Sequence, residues 1–336
     1  MSKITNGMKL KAICAVSIAL FFVAAIRPVS AQTPIPPPYK PGKAPHVGGN
    51  SFLGPRDIIY LPTRPESDTL ANMFFGDWRK SEPNVMFGSL IVRGILTQGD
   101  NFRPPFPGAV LEHAKFLSYG QLEPGAQTVP STLQGLQVFF YIEDGEGEIS
   151  AGGKTEPLHH GNALLVPEGL EFTLRNTGTT QLTAYMVGDP TYPGFKPLPS
   201  FVVKDEAHLP THPPADESPF TNPGASGHWA HITHGFFNRG NGLATIGGII
   251  TVEILPMQMG EPHPHFYGHE EIWCDIKGNS LAFYGSQVRM QHPGEAYMLR
   301  PDNLTTHSNI NFQEPGSPTN EFLWFSTSTP VSTEHH

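Results

Sequence analysis

The 336-residue chain carries 30 acidic and 21 basic side chains, a formal net charge of −9, and no long basic run, which excludes the cationic footprint of a nucleic-acid binder. Gly and Pro number 35 each, enough for many short strands joined by turns but below the range of a disordered composition. Two cysteines, Cys14 and Cys274, exclude a disulfide framework.

At the N-terminus Lys3, Lys9 and Lys11 precede the apolar stretch Ile13 to Ile26, and Val29-Ser30-Ala31 follows. A basic start, a short apolar core and a small-x-small site predict a signal peptide over residues 1–31. The stretch is shorter than the roughly 20 residues that span a bilayer. The mature chain is therefore expected to be exported, periplasmic or extracellular, with no membrane attachment after cleavage. Cys14 leaves with the signal, and Cys274 reads as a small buried hydrophobe. Residues 32–65 hold the run "PIPPPYKPGKAP"; proline removes backbone donors and fixes φ, so an extended arm is expected there.

Two blocks of similar texture follow, expected as domains over 66–188 and 228–330 and joined by a Pro-rich connection over 189–227. In the first, "QVFFYIEDGEGEISAGG" runs from an apolar, aromatic strand through an acidic-glycine turn into a return strand. In the second, "EIWCDIKGNSLAFYGSQ" repeats that outline and aligns Gly278 with Gly145. No amphipathic helix longer than two turns is evident. The expected fold class is all-β, two tandem sandwiches or barrels.

The chemistry concentrates in "EPHPHFYGHEEIWCDIKG", residues 261–278. His263 and His265 are two apart, so on a strand both imidazoles leave one face. A carboxylate comes next from Glu270 or Glu271, and His307 follows in "RPDNLTTHSNIN". Three imidazole nitrogens and one carboxylate oxygen suit a single divalent transition ion such as Fe, Mn, Cu, Ni or Zn. Four protein ligands would leave positions open on an octahedral ion.

These residues resemble the cupin superfamily, and within it the two-domain bicupins, whose domains are jelly-roll β-barrels. The first cupin motif has H-x-H, a glutamate and a glycine; His263, His265 and Gly278 follow it. The second has a glycine, a proline, a glycine turn and H-x3-N; Gly294, Pro301, Asn303, His307 and Asn311 follow it, with Asn303 where a glycine is usual. Counting forward from His265 favours Glu270 as the carboxylate ligand, whereas counting back from Gly278 favours Glu271. The turn at Gly278 sets strand register, so Glu271 is taken as the ligand. In the first block Gly161, Pro167, Gly169, Phe172 and Asn176 follow the second motif, with Phe172 at the histidine position. Ser131 and Leu133 fall at H-x-H, and Gln137 or Val138 at the glutamate. The resemblance thus implies a first domain without metal ligands and a second that binds the ion through His263, His265, Glu271 and His307.

Glu270 and His269 are expected to move the proton in catalysis. Trp273, Phe283, Tyr284, Tyr297 and Trp324 read as core aromatics, one or two of them walling a cavity. Arg289 and Arg300 could clamp a substrate carboxylate, though exposed placement is the simpler reading. His228, His231 and His234 read as surface or oligomer-contact residues, and His159 and His160 as solvated. The resemblance implies a metal-dependent enzyme on a small organic molecule, dioxygenase-type oxidation ahead of lyase or isomerase chemistry. The alternative is a non-catalytic exported module binding metal or carbohydrate. A homodimer is a possible assembly.

Overall fold

The computed structural model describes residues 71–212, 231–260, 262–265 and 267–328. The expected signal peptide, the Pro-rich arm and His228 lie outside the described residues. Helix among those residues is confined to 3-10 turns of three or four residues, and the rest of the regular structure is strand.

Two jelly-roll barrels result. In the first, a large sheet runs in the order Val202–Asp205, Asn162–Val166, Leu136–Asp144, Leu182–Pro190, Phe116–Leu122, Leu90–Gln98 and Pro83–Met86. It faces a smaller sheet of Ser131–Thr132, Glu171–Asn176, Gly147–Ala151 and Lys154–Leu158. The second barrel repeats this plan with Glu295–Met298, His269–Lys277, Asn320–Ser328, Gly248–Ile254 and His231–Asn238 in its large sheet. Its smaller sheet holds Gln258–Met259, Thr306–Asn311, Ser280–Tyr284 and Gln287–Gln291, with His263–Pro264 also paired to Thr306–Asn311.

The repeated strand–glycine–strand outline corresponds to a corner rather than to a hairpin return. Leu136–Asp144 pairs within the large sheet, while Gly147–Ala151 pairs within the small one. Gly145 turns the chain between sheets at φ 88°, and Gly278 does the same at φ 82°. A Cβ on either would lie 2.4 Å from a neighbouring oxygen, Gln181 O or Asn320 Oδ1, so both corners require glycine.

The first barrel's interior is apolar throughout, built from Leu133, Val138, Phe140, Phe172, Leu174 and Met186 among others. Phe172 stands directly across the ladder from Ser131 and packs edge-on to Phe87 at 5.1 Å.

Chain order and barrel membership do not coincide at the boundaries. Phe75–Asp77 precedes the first barrel in sequence yet pairs with Glu295–Met298 at the edge of the second barrel's large sheet. Phe75 is drawn there by aromatic packing, 5.1 Å from Tyr297 and 5.6 Å from Tyr284. Within the connection, Val202–Asp205 joins the first barrel and Thr211–His212 the second.

The large sheets pack outer face to outer face. Phe139, Tyr141, Tyr185 and Val187 of the first barrel share one apolar cluster with Phe236, Phe237, Ile272 and Cys274 of the second. Two buried carboxylates lock this seam. Glu270 accepts the backbone N–H groups of Glu112, His113 and Ala114 at 2.6–2.9 Å. Asp189 reciprocates, accepting those of Ala244, Thr245 and Ile246 at 2.7–2.9 Å, with Gln137 Nε2 donating at 2.7 Å. Burial pushes both carboxyls up and the three amides pull each back. Beside them the Tyr141 hydroxyl meets Glu206 at 2.8 Å and Glu321 at 3.1 Å. Burial, followed by the Glu206 charge, raises the Glu321 pKa, with Lys277 as the nearest opposing cation and Glu253 adding to the repulsion.

Glu270→Ala leaves three N–H groups without their acceptor and should cost about 3 kcal/mol or more in urea unfolding. Glu321 holds its proton more tightly folded than unfolded, so its contribution is full at low pH and is lost as pH rises through the folded value. Glu321→Gln, neutral at every pH, should therefore be more stable than the parent at neutral and alkaline pH. The gap should close as pH falls to the unfolded glutamate value of about 4.3, as read from thermal denaturation at a series of pH values.

Candidate metal centre

The centre is assembled from two strand ladders of the second barrel. His263 lies directly across from His307 in the pairing of His263–Pro264 with Thr306–Asn311, which puts both imidazoles on one face. His265 follows two residues later. A turn with Gly268 at φ 76° then delivers His269 at the start of His269–Lys277. Along that strand His269, Glu271 and Trp273 project inward, while Glu270, Ile272 and Cys274 project to the seam.

Glu271 is the hub. One carboxylate oxygen lies 2.8 Å from His265 Nε2 and 3.3 Å from His269 Nε2. The other lies 3.4 Å from His307 Nε2 and accepts the Trp273 indole N–H at 2.6 Å. His265 and His307 present their Nε2 atoms to each other at 3.3 Å. Donor atoms of His263, His265 and His307 all lie within 4.8 Å of one another, as do those of His265, His269 and Glu271. Glu271 and His307 are each 1% exposed. Burial alone would raise the Glu271 pKa; the histidines, His265 foremost, hold it well below the carboxylate range instead.

Orientation comes from the barrel core. Tyr297 donates to Asn309 Oδ1 at 3.1 Å and meets His307 Nδ1 at 2.9 Å. With its one proton on Asn309, Tyr297 accepts from the imidazole, so His307 carries hydrogen on Nδ1 and turns a lone pair on Nε2 toward the cluster. Trp273 fixes Glu271 in the same way. Neighbouring donors 2.8 to 3.4 Å apart are the edges expected around an ion with bonds of about 2.1 Å. Nitrogen donors with one carboxylate thus fit a divalent transition ion in both chemistry and spacing.

Of the residues singled out from sequence, the structure brings His263, His265, Glu271, His307 and His269 together. Glu270 it does not: as the neighbour of Glu271 on a strand it must point to the opposite face, where the seam amides engage both its oxygens. The proton-moving role expected of Glu270 is therefore corrected. Asn311 ties its strand to Ile254 O at 2.8 Å and stays clear of the cluster. Asn303 adopts φ 59°, the left-handed turn expected of it, and its N–H bonds His265 O at 3.0 Å. Arg300 pairs with Asp302 at 3.4 Å and packs over Phe102; Arg289 sits over Phe75. His231 is buried against Trp273, ring centres 5.2 Å apart, rather than on the surface, and His234 pairs with Glu253 at 3.5 Å. Tyr297, Trp273 and Asn309 were legible only as core or strand residues. A tryptophan two residues from the glutamate, on the same face, was the one available signal.

Comparison with known proteins agrees with this fold. A family model described as "Cupin domain" matches residues 118–188, within the first barrel. This chain has the fold of the two-barrel cupins. No curated protein sequence matches it. Solved structures similar to it include oxalate decarboxylase from Lactobacillus farciminis in a formate complex, at 11% identity over 76% of this chain and 88% of that one, TM-score 0.52. Pirin YhhW from Escherichia coli in complex with nickel(II) is similar at 12% identity over 76% and 98%, TM-score 0.52. Vicilin from hazelnut, Corylus avellana, is similar at 12% identity over 76% and 86%, TM-score 0.53. At such identities the likeness establishes the fold alone. In this chain the ladder position held by His263 and His307 in the second barrel is held by Ser131 and Phe172 in the first.

Tyr297→Phe removes the acceptor for His307 Nδ1–H while keeping the ring. It should weaken binding of a transition ion about 10- to 100-fold, read by isothermal titration of metal into chelator-treated protein, with the circular dichroism spectrum unchanged.

Proposed function

We propose that the second barrel is the catalytic half of a metal-dependent enzyme acting on a small organic molecule, with dioxygenase-type oxidation ahead of lyase or isomerase chemistry. The observation that carries this reading is Glu271, buried and within 2.8–3.4 Å of the imidazoles of His265, His269 and His307, with His263 across the ladder from His307. A divalent ion held by His263, His265, Glu271 and His307 would supply Lewis acidity and, if redox-active, electron transfer.

The chain's own residues do the rest. With only one carboxylate among neutral imidazoles, the residues would offset one of a divalent ion's two charges, so the loaded centre would keep a net positive field toward electron-rich oxygen atoms of a substrate. Trp273, Tyr297 and Phe322 wall it with aromatic surface, and excluding water strengthens that field. His269, its Nε2 beside Glu271, is the group placed to take or return a proton. Oxidation is placed ahead of lyase and isomerase chemistry because the donor set suits redox-active ions; Glu270, held at the seam, does not serve the centre. Export to the periplasm or beyond belongs to the same reading, resting on the basic and apolar pattern of residues 1–31.

The competing reading, a non-catalytic module binding metal or carbohydrate, is favoured by the apolar filling of the first barrel and the fold likeness to vicilin. Metal-loaded protein assayed for oxygen uptake over a panel of small phenols and carboxylic acids separates the two. Turnover should vanish in His307→Ala together with the metal. His269→Gln should retain the metal and lose about 100-fold in kcat. Stoichiometric metal and retained ligand affinity without turnover would establish the binding module instead.

A further inference from the structure

A second cavity, of about 560 Å³, lies where the N-terminal segment crosses between the barrels, and none of the His/Glu cluster lines it. Its walls come from the segment around Phe75, from the first barrel's Leu90–Gln98 strand with Ile95 and Thr97, from Phe106, and from Arg289 of the second barrel. Ligand sites favour such junctions and such apolar walls with a few converging polar groups.

One of those polar groups has donors to spare. Arg289 is half-buried, its guanidinium 3.9 Å over the Phe75 ring, which holds the plane of the fork. Among the described residues it makes one hydrogen bond, to Asn72 Oδ1 at 2.6 Å, out of five N–H donors, and no ion pair joins it to a carboxylate. Of the acids in the cavity wall, Asp77 is held by Arg79 and Lys80 at 3.1 and 3.4 Å, while Glu295 accepts the His292 N–H at 3.0 Å and its charge also acts on Arg289. A half-buried guanidinium held flat with spare donors gains from a planar acceptor that fills them.

We propose that this cavity is a second small-molecule site, taking a carboxylate with a flat apolar body: Arg289 grips the carboxylate, and Phe106 and Ile95 cover its apolar part. A planar oxyanion matches the guanidinium fork in two parallel bonds, which a neutral amide cannot reproduce. The site stands apart from the metal centre but shares a wall with it, because Phe75 packs on Tyr297 and Tyr297 bonds His307.

The probe is 2-naphthoate, with 2-naphthamide as its neutral isostere, titrated by calorimetry into the full chain in both metal-loaded and chelator-treated form. The expected result is saturable naphthoate binding in both forms and no naphthamide binding. Arg289→Gln should weaken naphthoate about 10- to 100-fold and leave metal stoichiometry intact. Arg289→Lys should recover only part of the loss, since it restores charge without the fork. Phe106→Ala, at an exposed wall residue, serves as an independent variant and should also weaken binding. Three results would overturn the proposal: no saturable binding in the millimolar range, equal affinity for naphthoate and naphthamide, or naphthoate binding that survives Arg289→Gln but disappears with the metal, which would assign it to the His/Glu centre.

Discussion

Two glutamates that are neighbours on one strand must leave it on opposite faces, and much of this molecule follows from that constraint at Glu270 and Glu271. The outward carboxylate closes on three backbone amides of the other barrel. The inward one becomes the hub of five inward-facing polar side chains. A slip of one residue would exchange the two, leaving the seam amides without an acceptor and the imidazoles without their counter-charge. Barrel docking and the centre are thus set by the same register.

The two barrels show what one β plan tolerates inside. The first is filled with apolar side chains, and Phe172 and Ser131 face each other on its ladder. The second carries imidazoles at the equivalent pair and must provide each polar atom with a partner, since burial without one is costly. It does so through aromatic residues that retain a polar tip. Trp273 contributes packing and one directed hydrogen bond, Tyr297 packing and two. The N-terminal segment completes that core: Phe75 crosses from ahead of the first barrel to pack on Tyr297. The segment, the seam and His307 of the candidate centre therefore form one continuous packed path, and the barrels are not independent beads.

Charge is handled differently from one buried carboxyl to another. Glu271 stays ionised because imidazoles surround it, His265 first, against the pull of desolvation. Glu270 and Asp189 are solvated by peptide dipoles instead, three each, in place of water. Glu321 has neither arrangement in full. It shares the single Tyr141 proton with Glu206, and its carboxyl is pushed up accordingly.

The fold class, the barrel repeat, the corner glycines Gly145 and Gly278, and the gathering of His263, His265 and His307 were legible in the chain, because alternation and turn chemistry are local and leave a period in the text. The carboxylate of the candidate centre was legible only as a pair, since forward and backward counting disagree by one residue when loop length is soft. The role of Glu270 was misread for a related reason: its partners lie more than 150 residues away, and nothing local distinguishes a catalytic carboxylate from one buried against another domain. The same distance hid Asp189, Tyr297 and the exchanged strand at Phe75. Sequence by itself determined which residues alternate, turn and carry metal-binding atoms; tertiary structure decided which face of each strand met the other barrel, because that choice depends on long-range packing that no short period records.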